Sequence, residues 1–310
     1  MSLRSRNIPV MTLLLASLLL CGCGTFSNLK KSTGNIVRDF RAPDTDLKKT
    51  VFRLALNNQV AAARQDMGGA IDSRYLEVLP QSCPDILLAG PEDSEASQAL
   101  NPLFQKSAGP FDNLALIRIG KQYGISAVVN SRVSAVAIRQ KNAGFLWFLK
   151  KRSFAWVSAA TEVYDTETGA KYLDQTFTRE LKLGEEEAES IQKGDIRSVP
   201  HVEKAVFEII QEMADAVCDA VKRKPWKGYV VNVSAETLTL SSGSRSGLSA
   251  GRVLRVYDLG PRIQGAEGLT FLQPGKMIGE IRITTVSSDS AEAVVTSGGG
   301  FQVDNIVKTK

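Results

Sequence analysis

Apolar and polar positions recur with different periods along the chain, and each change of period marks a new element. Behind Arg4 and Arg6, residues 13–20 form an apolar run, interrupted by Ser17 alone, that leads into Cys21-Gly22-Cys23. A basic head, a short apolar core and small residues at its end make a secretory signal, and the run is well short of the roughly 20 residues that cross a bilayer. Residues 24–46 scatter Phe26, Ile36 and Phe40 among polar and charged residues, the pattern of a tether. Alternation of Phe52, Leu54 and Leu56 predicts a strand over 50–57. Val60, Ala63, Met67 and Ile71 predict a helix over 59–71, and 74–79, closed by Pro80, reads as a second strand. Residues 82–112 hold Pro84, Pro91, Pro102 and Pro110 and show no period beyond a short apolar run at 86–88, so they read as a long loop.

The second half is more regular. A helix over 113–123 is stopped by Gly124. The β-branched run 125–139, the segment 154–164 and the segment 171–181 predict an antiparallel meander with a turn at 165–169. Residues 185–198 are polar, a surface loop or a frayed helix. Val202, Val206, Ile209, Met213, Val217 and Val221 place one apolar stripe on a helix over 201–224, with Lys222, Arg223 and Lys224 at its C-terminus, where cations are favoured. Pro225 closes it. Short strands with glycine turns follow, at 228–233, 237–241, 252–257, 276–286, 291–296 and 302–308, and suit one small barrel. The expected fold class is therefore α+β: a mixed sheet with flanking helices, then a small all-β barrel. The expected division is a signal at 1–22, a tether at 23–46, an α/β domain at 47–224 and the barrel at 225–310.

Composition narrows the function. Hydrophobic residues at 43% and charged residues at 23% fit a folded protein. Net charge is +5, and about +3 once Arg4 and Arg6 leave with the signal, too mild for a nucleic-acid partner. The single histidine, His201, cannot build a histidine-rich metal site and reads as a residue at a helix start. There is no zinc-ligand spacing, phosphate-cradling loop or nucleophile elbow. The expectation is no catalytic residue, no metal and no cofactor beyond a covalent lipid. After processing, Cys83 and Cys218 remain. In an oxidising compartment they can pair in only one way; two buried, reduced thiols are the alternative.

One patch stands out. Phe145, Leu146, Trp147, Phe148 and Leu149 occupy the return between two long strands, where a polar tip is expected, and Lys150, Lys151 and Arg152 follow directly. Aromatic rings beside cations suit a membrane interface or a protein-binding hot spot, and a tip folded back onto the core is the third reading.

Three resemblances add to this reading. Leu20-Cys21-Gly22-Cys23 resembles the bacterial lipoprotein signal, which implies cleavage before Cys23 and acylation of its sulfur. Gly24, rather than Asp, then implies the outer membrane, with the chain facing the periplasm. The order of helix 113–124, strand from Ser126 and turn 165–169 resembles the α/β domain shared by the amino-terminal part of the Tol-system translocation protein, the curli-secretion lipoprotein and the middle domain of flagellar assembly protein T. The stretch 243–257 (GSRSGLSAGRVLRVY), with 275–286 and 303–307, resembles the SH3-like carboxy-terminal domain of flagellar assembly protein T. Together they imply a non-enzymatic envelope assembly or scaffold factor, most specifically for a flagellar basal-body ring. The alternative is a curli-secretion-like oligomeric pore subunit; a third reading, an envelope-located enzyme, ranks last because no acid, base or metal cluster converges in the sequence. The implied partners are the membrane, reached through the lipid, envelope proteins and further copies of the chain. Replacing Cys23 by Ser is expected to release the protein from the membrane fraction or to block its processing; unchanged fractionation would contradict acylation there.

Overall fold

The structure is a computed structural model that describes residues 46–58, 65–90, 92, 94–105, 110–143 and 150–310. Cys23, the tether and the apolar tip 144–149 lie outside the described residues. Strand β1 (Lys49–Arg53) pairs parallel with both β3 (Ile86–Ala89) and β4 (Ala127–Ala143), and the two-residue β2 (Asn57–Asn58) also joins β4. β4 continues into β5 (Lys150–Asp165) and β6 (Lys171–Leu183) as the expected antiparallel meander, giving the order β3-β1-β4-β5-β6.

Alternation along the strands divides the core. Val51, Val129 and Val163 point to one face, packed by helices α1 (Gln65–Ser82), α4 (Glu185–Gln192) and α5 (Pro200–Lys222). Phe52, Val128 and Tyr164 point to the other, packed by α2 (Ser94–Gln105) and α3 (Asn113–Gln122). α5 buries the stripe expected of it, and burying each such aliphatic side chain stabilises by about 1.5–3 kcal/mol. Its last carbonyls, of Val221 and Lys222, accept hydrogen bonds from Lys49 Nζ at 2.8 and 3.3 Å. Desolvation there lowers the Lys49 ammonium to about 8.

The first third of the chain differs from expectation. Residues 74–79 are not a strand but the middle of α1. Ile71, Tyr75, Val78 and Leu79, all nearly inaccessible, follow the i, i+4, i+7, i+8 spacing of a helix face. Pro80 falls in the last turn rather than ending a strand. The long loop over 82–112 instead contains β3 and α2, whose Pro102 is accommodated inside the helix. Cys83, just past α1, forms a disulfide with Cys218 of α5, across a Cα–Cα distance of 5.2 Å and 135 residues of chain.

The barrel forms from β7 (Lys227–Ser234), β8 (Thr237–Leu240), β9 (Val253–Tyr257), β12 (Met277–Val286), β13 (Ala291–Gly298) and β14 (Ile306–Thr309), closed in the order β12-β13-β8-β7-β14-β9 with every pair antiparallel. A small hairpin, β10 (Arg262–Gln264) with β11 (Thr270–Leu272), interrupts it between β9 and β12. Trp226, Leu238, Leu254, Val256 and Ile281 fill the interior, and so does Leu47, two residues before β1.

Sheet and barrel meet at the turn 165–169. Lys227 at the start of β7 donates to Asp165 and lies 3.8 Å from Glu167, whose other oxygen accepts from Lys308 of β14 at 2.7 Å. Thr166 Oγ1 donates to Ile125 O at 2.5 Å and lies 2.8 Å from Tyr229 Oη of the barrel. Gly169 adopts the left-handed φ of +78° that the turn needs. Gly120 of α3 packs so close that a methyl group there would overlap the Thr166 side chain. Gly120→Ala is therefore expected to destabilise by about 1–3 kcal/mol. Denaturant unfolding checks this; an unchanged midpoint would mean that α3 does not press on the turn.

Candidate interaction surface

β4 and β5 pair over their whole length, from Ala127 opposite Asp165 to Ala143 opposite Lys150, whereas β6 stops at Leu183 opposite Ser153. The meander thus runs out into a two-stranded ribbon. Register fixes which side chains share a face, because successive residues of a strand point to opposite sides. Ala137, Arg139 and Lys141 lie opposite Trp156, Phe154 and Arg152, and across β5 the same face continues to Glu180 and Lys182. Lys150 belongs to this face by alternation, and Lys151 to the other.

The chemistry of this face is uniform. Arg139, Lys141, Lys150, Arg152 and Lys182 are exposed, and Phe154 and Trp156 are half-buried between them. The Arg139 guanidinium lies 4.0 Å from the Trp156 ring centre and Lys141 Nζ lies 5.4 Å from that of Phe154, so both rings carry a cation. Glu180 answers Lys141 at 2.6 Å and is the one carboxylate among 137–143, 150–156 and 180–182, which hold six cations. Lys141 and Arg152 stand directly opposite each other, and like charges in that position destabilise a strand pair.

Nearer the sheet centre the same face carries Glu162, whose charge is fully engaged. Lys171 and Asn130 donate to it at 3.1 Å, Tyr164 Oη at 3.0 Å, and Arg132 lies 3.6 Å away. Burial alone would raise the Glu162 carboxyl, but the hydrogen bonds from Lys171 and Asn130 hold it below the ordinary range. Burial, reinforced by that carboxylate, raises the Tyr164 hydroxyl. This acid therefore does not neutralise the distal cations.

A second concentration of titratable groups is the cluster at the turn 165–169. Burial would raise the Asp165 carboxyl, yet the Lys227 ammonium and hydrogen bonds from Lys227, Thr168 and the Glu167 amide hold it low. Burial would lower Lys227, and Asp165 raises it. Tyr229 is pushed up to about 12 by burial. Asp165, Glu167, Lys227 and Tyr229 are all at least nine-tenths covered, and each has a protein partner. Such a set holds charge in place and joins sheet to barrel.

Of the residues singled out in sequence, Lys150, Lys151 and Arg152 are exposed on β5; Phe145, Leu146, Trp147 and Phe148 lie outside the described residues, as does Cys23. His201 sits in the first turn of α5 with Nδ1 3.6 Å from Glu187. Arg139, Lys141, Phe154, Trp156 and Lys182 were not anticipated. Their signal is a period-2 recurrence of cations and rings that means something only once the register of three strands is known. Among the described residues, no group of three or more His, Cys, Asp or Glu side chains could hold a metal ion, and no helix is long and apolar enough to cross a membrane.

No protein-family model and no curated protein matches the chain. Solved structures similar to it include hypothetical protein CT253 from Chlamydia trachomatis, at 13% identity and a TM-score of 0.36, covering 56% of this chain and 99% of that one. The PelC dodecamer from Paraburkholderia phytofirmans is 13% identical with a TM-score of 0.31, over 57% of this chain and 91% of that one. TolB from Acinetobacter baumannii is 12% identical with a TM-score of 0.27, over 81% of this chain and 58% of that one.

Proposed function

We propose that this chain is a non-enzymatic lipoprotein of a bacterial envelope, anchored through Cys23 in the outer membrane and facing the periplasm, where it scaffolds the assembly of an envelope structure. The observation that carries the reading is the cationic, aromatic face of the β4–β5–β6 ribbon. It projects from a rigid sheet, its like charges repel one another, and an anionic counter-surface relieves them. It supplies attraction for an anionic partner. The anchor is read from Leu20-Cys21-Gly22-Cys23; several acyl chains hold a protein stably on a membrane where one alone does not.

The finer assignment, to a flagellar basal-body ring, rests on the resemblance of 243–257, 275–286 and 303–307 to the carboxy-terminal domain of flagellar assembly protein T, whose SH3-like barrel the closed six-stranded barrel here would match. A second reading, an oligomeric secretion subunit, is favoured by the extension of β4 and β5 beyond β6.

A photo-crosslinking p-benzoylphenylalanine in place of Ala137, which is exposed on the cationic face opposite Trp156, in the native envelope, tests these readings. Adducts with envelope proteins are expected, and they should weaken about tenfold or more when Lys150 and Arg152 are replaced by Gln. Basal-body components among them support the flagellar assignment. A ladder of this chain alone moves the function to a self-assembled pore. Adducts no stronger than those from the same probe at exposed Glu236 on the barrel would overturn the ribbon as the contact.

A further inference from the structure

β3 is the outermost strand of its sheet. Among the described residues, no strand lies beside the outer row of its main-chain N–H and C=O groups. Among the described residues, no hydrogen bond other than those to β1 engages the main chain of 87–89. Natural sheets blunt such edges with charges, proline or bulges. β3 reads Ile-Leu-Leu-Ala and has none of these.

The edge is recessed instead. Residues 87–90 form one wall of a cavity of about 600 Å³, and the barrel forms the other, at Val231 and at 241–243 and 288–290. That volume is ordinary for a binding cleft. Leu76 of α1 and Val231 of β7, 36% and 40% exposed, are two of the large aliphatic side chains that the fold leaves open, and both line this space. Ser241, Ser288 and Ser290 line the barrel side together with Arg245 and Asp289, and Glu92 lies just past the end of β3.

We propose that this cleft takes an extended peptide segment of a partner protein, added as a strand to the outer edge of β3. A strand placed there runs alongside four residues, about 13 Å at the usual rise per residue, of which alternate ones turn their N–H and C=O to the outer edge. Its alternate side chains then meet the aliphatic contacts of Leu76 and Val231 and the serine-lined wall, which is the division of labour of strand addition: main chain for affinity, alternate side chains for selectivity. A lipid chain leaves the main-chain row unpaired, and a sugar presents hydroxyls without the regular spacing of donors and acceptors that a strand edge matches. A second copy of this chain carries its own β3 behind its own barrel wall, so two copies cannot bring these edges together. The site is separate from the ribbon and does not depend on what the ribbon binds.

The test pans a phage-displayed library of random heptapeptides against the full chain carrying Cys23→Ser, then synthesises the recovered peptide. Val231→Glu and Leu76→Glu, both at exposed positions, are each expected to weaken its binding at least tenfold while the melting temperature stays within a degree or two. N-methylation of alternate peptide amides should abolish binding, and bound peptide should slow hydrogen exchange at 87–90. The proposal is overturned if no peptide rises above background, if binding ignores both substitutions, or if every singly N-methylated peptide still binds. Protection of 87–90 that grows with protein concentration alone would give the edge to a second copy and equally overturn it.

Discussion

The structure depends on one buried ionic joint. Two carboxylates from a single turn, Asp165 and Glu167, meet two lysines from the barrel: Lys227, buried with them, and Lys308, partly exposed at the edge of the cluster. Removing one partner of such a pair costs about 3–5 kcal/mol, because the other charge is left buried and unmatched. Charges need partners at fixed positions in a way that apolar surfaces do not, so the joint sets the orientation of barrel on sheet as well as their attachment. The chain reinforces it where it enters the described fold: Leu47 packs in the barrel, the Lys48 amide donates to Ser246 O and its carbonyl accepts from Trp226 Nε1, and Val51 and Phe52 belong to the sheet.

The joint also gives both proposed interaction surfaces a frame. β5 ends in it at Asp165 and runs back about 50 Å, at roughly 3.3 Å per residue, to Lys150 at the distal ribbon. The cleft lies at the other end, where β3 faces the barrel. A cationic ribbon and a recessed strand edge, held far apart on one body, suit a protein that brings components together.

Legibility in the sequence followed the range of the interactions. The meander, α5 and all six barrel strands were readable because each is an uninterrupted periodic run between clear stops such as Gly124 and Pro225. α1 was misread because Arg74 to Leu79 is a short run rich in Tyr, Leu and Val that stops at Pro80, as a strand would; the burial of Ile71, Tyr75, Val78 and Leu79 together shows the helix face. β3 and α2 were hidden by prolines that the fold tolerates. Asp165 and Glu167 read as ordinary turn residues because their partners, Lys227 and Lys308, lie 62 and 141 residues away, and no local pattern announces a pairing at that distance. In the ribbon, Lys150, Lys151 and Arg152 were visible as a charge run, whereas Arg139 over Trp156 emerged only from strand register.

The central claim is that the joint makes sheet and barrel one cooperative body. Native-state hydrogen exchange in rising denaturant tests it, comparing the amides of Val129 and Val157 in the sheet with those of Val230 and Leu254 in the barrel. The account predicts that the four open with one free energy and one denaturant slope. Barrel amides that exchange through a separate opening, several kcal/mol cheaper and with a smaller slope, would contradict it.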